Sequence, residues 1–201
     1  MSKELINQAL ALFDSSEKWN SFVEMANHKE AMKMQYLQKA KNPLLKYFNE
    51  NYVDGWICEP WGNTAYDIRW YLKDFGKNSI ALALGWTFHF ILHVEDINSF
   101  DTNKINELLK TEYSLILSSF DRVDRQFENQ LKVVEVRNYY FNCPYDSNFD
   151  DAHVDQLAWF VGNETENFVQ QIIKKVDRFR KNPKLTQMIY ELNQKSRIIT
   201  E

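Results

Sequence analysis

Residues 79–96 constrain the fold more than any other part of the chain, because the side chains at even and odd positions differ in polarity and size. The even positions from Ile80 to Val94 are all apolar, whereas the odd positions run from small residues to polar ones and end in His93 and Glu95. Since successive side chains of a strand point to opposite faces, the pattern predicts one long central strand over residues 79–95. A slip of one residue would bury the polar positions, so the register is fixed as well.

Two more strands are predicted just before this one, over residues 55–61 and 66–74, which gives a three-stranded meander over residues 55–95. A fourth strand is predicted over residues 131–142, where β-branched and aromatic residues are frequent. These strands are not separated by regularly repeating helices, so a doubly wound parallel sheet is not expected.

The rest of the chain has the periodicity of helices, over residues 1–52, 102–129 and 151–195. In the first helix we expect Ile6 and Leu10 to point inward. The sequence therefore predicts an α+β fold, in which an antiparallel sheet of about four strands packs its even face against several helices. Residues 1–201 are expected to form a single domain.

Composition narrows the class of protein. The chain of 201 residues is 44% hydrophobic and has only five glycines and four prolines, which is typical of a globular domain without linkers. The net charge of −4 does not favour a protein that coats nucleic acid. Cys58 and Cys143 form no metal or disulfide motif and are interpreted as free thiols. Without a signal peptide or a membrane-spanning stretch, we expect a soluble, cytoplasmic protein with no membrane association.

His93 and Glu95 are the candidate catalytic and metal-binding residues. They are two positions apart on the odd face, about 6.6 Å along a strand, so a neighbouring strand would have to complete a metal site. His89 is about 13 Å from His93 on the same strand, too far to share an ion. Asp67 and Glu135 resemble the pair of carboxylates that holds Mg²⁺ in a nuclease site. Such a site has a lysine two positions after the second acid, whereas this chain has Arg137 there, so the match is incomplete. The simpler interpretation is a polar outer face of the sheet.

Arg69, Tyr71 and Lys73 share the odd face of the middle strand, and Trp61 precedes that strand. Because tyrosine, tryptophan and arginine dominate interface hot spots, these four residues are the candidate binding residues. The alternative is that the basic side chains only solvate the sheet. The basic segment Lys174–Lys184 is a candidate for contact with an anionic partner, or else a solvated helix end favoured by the helix dipole.

The sequence contains no complete catalytic set and no glycine-rich phosphate loop. We therefore predict a non-enzymatic intracellular binding or regulatory protein without a cofactor, which recognises a protein partner through its aromatic and basic sheet face. Two alternatives stay open: a metal-dependent, nuclease-like hydrolase with its site near His93 and Glu95, and a nucleic-acid accessory protein. The sequence does not decide whether the odd face is exposed or covered.

Overall fold

The computed structural model of the protein describes residues 3–62, 67–85, 89–120 and 154–198. Four helices come first along the chain: α1 (Lys3–Ala11), α2 (Ser16–Asn27), α3 (Lys29–Gln38) and α4 (Lys41–Glu50). Four strands follow: β1 (Trp56–Pro60), β2 (Ile68–Leu72), β3 (Ile80–Gly85) and β4 (His89–Val94). After a short 3-10 helix at Ile97–Ser99, the remaining described helices are α5 (Thr102–Lys110), α6 (Ser114–Ser118), α7 (Val154–Asn163), α8 (Thr165–Arg180) and α9 (Pro183–Ser196).

The strands form one antiparallel sheet in the order β1-β2-β3-β4, which confirms the predicted α+β class. The prediction of one long strand over residues 79–95 is wrong, because β3 and β4 are two strands of an antiparallel pair. Ile80 pairs with Val94 and Gly85 with His89, so each even residue pairs with an even residue and each odd residue with an odd one. The alternation therefore continues unbroken across the reversal, and only the excessive length of the run indicates a turn.

The two elements predicted after the meander are tested by the structure to different extents. The predicted fourth strand over residues 131–142 lies outside the described residues, and the fourth strand of the sheet is β4 instead. The helix predicted over residues 102–129 is divided in its described part, where α5 ends at Lys110 and α6 begins at Ser114.

The core lies between the even face of the sheet and helices α4, α8 and α9. Trp70 of β2 is fully buried, and its ring lies 5.0 Å from that of Phe48 in α4. The ring centroid of Phe90 in β4 lies 5.9 Å from that of Phe179 in α8. Trp56 of β1 donates a hydrogen bond from Nε1 to Oγ1 of Thr186 in α9, at 3.2 Å. The expectation that helices cover the even face is confirmed.

A buried amide joins the sheet to α9. Strand β2 pairs with β3 only from Ile68 to Trp70, opposite Leu84 to Leu82, so the pairing stops before it reaches Ile80. The side chain of Asn193, fully buried, takes the place of a strand partner there. Its Oδ1 accepts from the backbone N–H of Ile80 at 2.9 Å, and its Nδ2 donates to the carbonyl of Ile80 at 3.2 Å. Asn193 thus satisfies both backbone groups of a buried strand end.

Helices α1 and α2, residues 3–27, form what we call the N-terminal arm. Every residue of α2 is exposed, and so is every side chain of α1 that the structure describes. The expectation that Ile6 and Leu10 point inward is wrong, because both are exposed. The apolar periodicity of α1 is present in the sequence, but α1 contributes no residue to the core cluster of the described chain.

Replacing Asn193 with leucine should lower the free energy of unfolding by about 3 kcal/mol, because the buried N–H and C=O of Ile80 would lose their partners. Urea denaturation measures this change. Gln187→Leu, on the exposed side of the same helix, is the control and should change stability by less than about 0.5 kcal/mol. Equal effects of the two substitutions would contradict the role assigned to Asn193.

Candidate functional site

The predicted binding and catalytic residues meet on the odd face of the sheet. Strand pairing places Glu59 of β1 directly opposite Arg69 of β2, and Ala81 of β3 opposite His93 of β4. We call the polar group on this face the sheet-face network, and its members are Glu59, Trp61, Arg69, Tyr71, His93 and Glu95.

Arg69 lies at the centre of the sheet-face network. Its Nε donates to Oε1 of Glu59 at 2.8 Å, and its Nη1 donates to the carbonyl of Lys77 at 3.1 Å. The hydroxyl of Tyr71 donates to Oε2 of the same Glu59 at 3.3 Å, and burial raises the pKa of Tyr71. The side chain of Arg69 is only 11% exposed, so its hydrogen-bonding capacity is directed into its own chain.

Trp61 closes the other end of the network. Its Nε1 donates to Oε2 of Glu95 at 2.7 Å, and Nε2 of His93 lies 3.3 Å from the same oxygen. The indole ring lies over Gly85, where a Cβ would collide with it. Trp61 forms a small buried cluster with Ala83 and Ile91. A glycine on β3 is therefore what allows the tryptophan to lie flat against the sheet.

These contacts change the interpretation of the odd face. Ala81, Ala83 and Ile91 are buried, so this face is covered around β3 and β4. Of the four predicted binding residues, Trp61, Arg69 and Tyr71 belong to the network, whereas Lys73 is exposed beyond the end of β2. The geometry fits a group that holds three strands together, and partner binding by these residues stays a prediction.

The hydrolase alternative gains no metal centre from the part of the chain that the structure describes. Within those residues, no three side chains of His, Cys, Asp or Glu are placed to hold one ion. Nε2 of His93 lies 3.3 Å from Oε2 of Glu95, but Glu95 shares this oxygen with Trp61. A metal or catalytic role of the two residues stays a prediction. Asp67 is buried, and Glu135 lies outside the described residues. The side chain of His89 is likewise not described.

The predicted basic segment does not form one surface. Lys175 and Arg180 are buried, whereas Lys174 and Lys184 are exposed. The Nη2 of Arg180 donates to the carbonyl of Asn51 at 2.6 Å, and burial lowers the pKa of its guanidinium. The cations therefore point in several directions, and some of them stabilise the contact between α8 and the rest of the core.

Cys58 is a free thiol, and it is half-buried on β1. Burial raises its pKa to about 12. Since the thiolate is the nucleophilic form, Cys58 is a poor nucleophile at neutral pH.

A second candidate surface lies on helices α2, α3 and α7, and the sequence analysis did not predict it. Helices α2, α3 and α7 enclose an open cavity of about 420 Å³, which we call the groove. Its apolar walls are formed by Phe22, Met25, Met32, Tyr36, Ala158 and Trp159. Most of these side chains are exposed to solvent, so the cavity is a groove on the surface and not an internal void.

Ion pairs hold the two sides of the groove together. Nζ of Lys33 lies 3.1 Å from Oδ1 of Asp155, and Lys29 pairs with the other oxygen of this carboxylate. Hydrogen bonds from the two lysines, first Lys29 and then Lys33, lower the pKa of Asp155. The carboxylate of α7 therefore stays ionised at neutral pH and fixes α3 against α7.

Close packing of α3 on α7 depends on Gly162. A Cβ at this position would collide with the ring of Tyr36. The carbonyl of Gly162 accepts a hydrogen bond from Nζ of Lys39 at 3.0 Å, and this ammonium lies 4.8 Å from the centre of the Tyr36 ring. The groove thus has a rigid base, made by α3 and α7, and an exposed wall, made by α2.

The apolar surface continues from the groove along the N-terminal arm. The ring centroids of Phe13 and Phe22 lie 4.6 Å apart, and those of Phe13 and Trp19 lie 5.7 Å apart. Ile6, Leu10 and Trp19 are large and exposed. Monomeric soluble proteins rarely expose large contiguous apolar patches unless these bind something. Their helical spacing was visible in the sequence, but spacing does not tell which apolar faces the fold covers.

The chain matches no family model, and comparisons with curated proteins and with solved structures found no match either. Among the described helices, none combines the length and the apolar character that crossing a bilayer requires.

Arg69→Ala should lower the free energy of unfolding by about 2 kcal/mol, because it breaks a half-buried ion pair and removes the donor to the carbonyl of Lys77. Lys73→Ala on the same face is the control and should change stability by less than about 0.5 kcal/mol. Chemical denaturation of both variants tests the structural role of Arg69. An Arg69→Ala protein as stable as the wild type would return this residue to the candidate binding residues.

Proposed function

We propose that this protein acts by binding protein, and that it takes up an amphipathic helix of its partner in the groove between α2, α3 and α7. The supporting observation is the open apolar groove of about 420 Å³, continuous with the exposed side chains of the N-terminal arm. The proposal keeps the class of function that the sequence predicted and moves the binding surface from the sheet to the helices.

The shape and chemistry of the groove favour a helix over a small molecule. Its apolar surface continues onto Phe13 and Trp19 of the N-terminal arm, outside the groove, so a small molecule in the groove would leave these rings uncovered. A helix covers such a surface with residues spaced three and four apart. Met25 and Met32 add flexible, polarisable side chains that adapt to the shape of an incoming helix.

Charge does not narrow the choice of partner. Helices α2, α3 and α7, which enclose the groove, together carry three lysines and four carboxylates. Lys29 and Lys33 also pair with Asp155 across the groove. The proposal therefore rests on the apolar walls and not on a charge of either sign.

The competing interpretations have weaker support. A hydrolase needs a reactive centre, and the sheet-face network uses Glu59 and Glu95 to bind Arg69 and Trp61. A nucleic-acid accessory protein needs a basic surface, and the segment Lys174–Lys184 is divided between buried and exposed cations.

Met32→Gln should weaken binding of an amphipathic helix by a factor of about five or more, since the substitution places an amide in the apolar wall. The probe is a fluorescein-labelled synthetic peptide with leucine along one helical face and uncharged glutamine along the other. Fluorescence anisotropy gives its dissociation constant.

Ile198→Gln is the matched control for this experiment. Ile198 is 47% exposed and Met32 45% exposed, but Ile198 lies near the C-terminus of the described chain, outside the groove. The control should bind the peptide like the wild type. Loss of affinity in both variants, or in neither, would contradict binding in the groove.

A further inference from the structure

A second, smaller cavity lies where the edge of the sheet meets the C-terminal ends of α4 and α8. Its volume is about 100 Å³, and its walls come from α4, from β1, from Trp70 of β2 and from Arg180, the last residue of α8. We call this cavity the edge pocket. It shares no lining residue with the groove, so it is a separate candidate site.

Two buried hydrogen-bond donors line the edge pocket. Trp70 is fully buried and Arg180 is only 4% exposed. Within the described chain, neither Nε1 of Trp70 nor Nε of Arg180 has a hydrogen-bond partner. Buried polar groups nearly always have a partner, because a group without one loses its hydration and gains nothing in return. Two such donors on one cavity indicate that the cavity is built to receive a hydrogen-bond acceptor.

Contacts with the protein fix Arg180 in place without using all of its donors. Its Nη2 donates to the carbonyl of Asn51 at 2.6 Å, and its guanidinium carbon lies 4.6 Å from the centre of the Phe48 ring. Its Nε lies 3.7 Å from Oδ1 of Asp177, which is too far for a hydrogen bond. A guanidinium has five N–H groups, so Arg180 is positioned and still has donors to give.

The charges around Arg180 favour an anion. Asp177 is the one carboxylate in this cluster, and its Oδ2 is already bound by the hydroxyl of Tyr47 at 2.9 Å and by Lys181 at 2.7 Å. Arg180, Lys181 and Asp177 together carry one net positive charge. Cys58, which also lines the pocket, adds no negative charge, because burial raises the pKa of its thiol to about 12.

The size and the walls of the edge pocket narrow the class of anion. An apolar cavity of about 150 Å³ holds benzene, so one of about 100 Å³ has room for roughly four or five non-hydrogen atoms. Phe48, Trp56 and Ile57 provide apolar walls, which suit a ligand with an apolar part and not phosphate or sulfate. The planar fork of a guanidinium matches the two oxygens of a carboxylate.

We propose that the edge pocket binds a short-chain carboxylate of the size of acetate or propionate. Its oxygens accept hydrogen bonds from Arg180 and from the indole N–H of Trp70, and its alkyl part packs against the aromatic walls. The thiol of Cys58 lies beside both donors but does not replace the ligand, because sulfur is a weak acceptor. This site does not depend on the groove, so it can fail while the proposed function holds.

Nuclear magnetic resonance of the ¹⁵N-labelled full-length protein tests the site. Sodium propionate is titrated at constant ionic strength, and the Nε1–H signal of Trp70 is identified by its loss in Trp70→Phe. We expect this signal to move saturably, with a dissociation constant that is roughly millimolar because so small a ligand makes few contacts. Sodium chloride at the same concentrations should leave it in place. A signal that propionate does not move would overturn the inference, since the pocket would then hold water only. An equal response to phosphate would overturn the assignment to a carboxylate.

Two variants test the role of Arg180. Arg180→Gln should raise the dissociation constant of propionate at least tenfold, because the amide can still donate to Asn51 but carries no charge. Lys174→Gln makes the same change of charge on an exposed side chain of the same helix, outside the pocket, and should change the constant by less than about twofold. Equal effects of the two variants would show long-range attraction only and overturn the site.

The size of the ligand gives a test that needs no variant of Arg180. Trimethylacetate has the same carboxylate as propionate but a branched alkyl group with more atoms than the edge pocket admits. We expect it to leave the Trp70 signal unchanged in the wild type. Binding of trimethylacetate as strong as that of propionate would contradict a ligand enclosed by these walls.

Discussion

Trp70 contacts both layers of the molecule. Its ring lies against Phe48 of α4 on one side and 6.4 Å from Phe90 of β4 on the other, and it is fully buried. Around it, the even residues of the four strands form one apolar surface that must be removed from water, and α4, α8 and α9 cover it. Because α4, α8 and α9 pack on the even face, they do not cover the odd face or the N-terminal arm.

The odd face and the arm solve this problem in different ways. On the odd face, Arg69, Glu59, Trp61 and Glu95 satisfy one another across three strands, so that few polar groups are left to act on a substrate. In the arm, the rings of Phe13, Trp19 and Phe22 contact one another, but among the described residues most of its apolar side chains stay exposed. For this reason we propose that the function lies at the arm and the groove, although the sheet carries the residues that look more reactive.

The sequence predicted much of the fold because it depends on local alternation. The even and odd faces of residues 80–85 and 90–94 were assigned correctly. The division into β3 and β4 was missed, since Gly85 pairs with His89 and the reversal keeps even residues with even residues. Periodicity records which face a side chain lies on and not how many strands share that face.

The groove was missed for a related reason. An amphipathic helix has the same pattern whether its apolar face packs on its own core or on another chain, so Ile6 and Leu10 were expected to point inward. Packing of Tyr36 on Gly162 joins α3 to α7 across most of the sequence, and no local pattern encodes such a contact. The arm becomes recognisable as a candidate binding surface only when it is seen to lie outside the core formed by the described residues.

Amide hydrogen exchange of α2, measured with and without an amphipathic leucine–glutamine peptide, tests most directly whether the groove binds a helix. We predict that the amides of Ser16–Asn27 exchange rapidly in the free protein and become protected when the peptide is added. The amides of β3, which lies in the core, serve as the internal reference and should not change. Exchange of α2 that the peptide leaves unchanged would contradict the account, because α2 forms one wall of the groove.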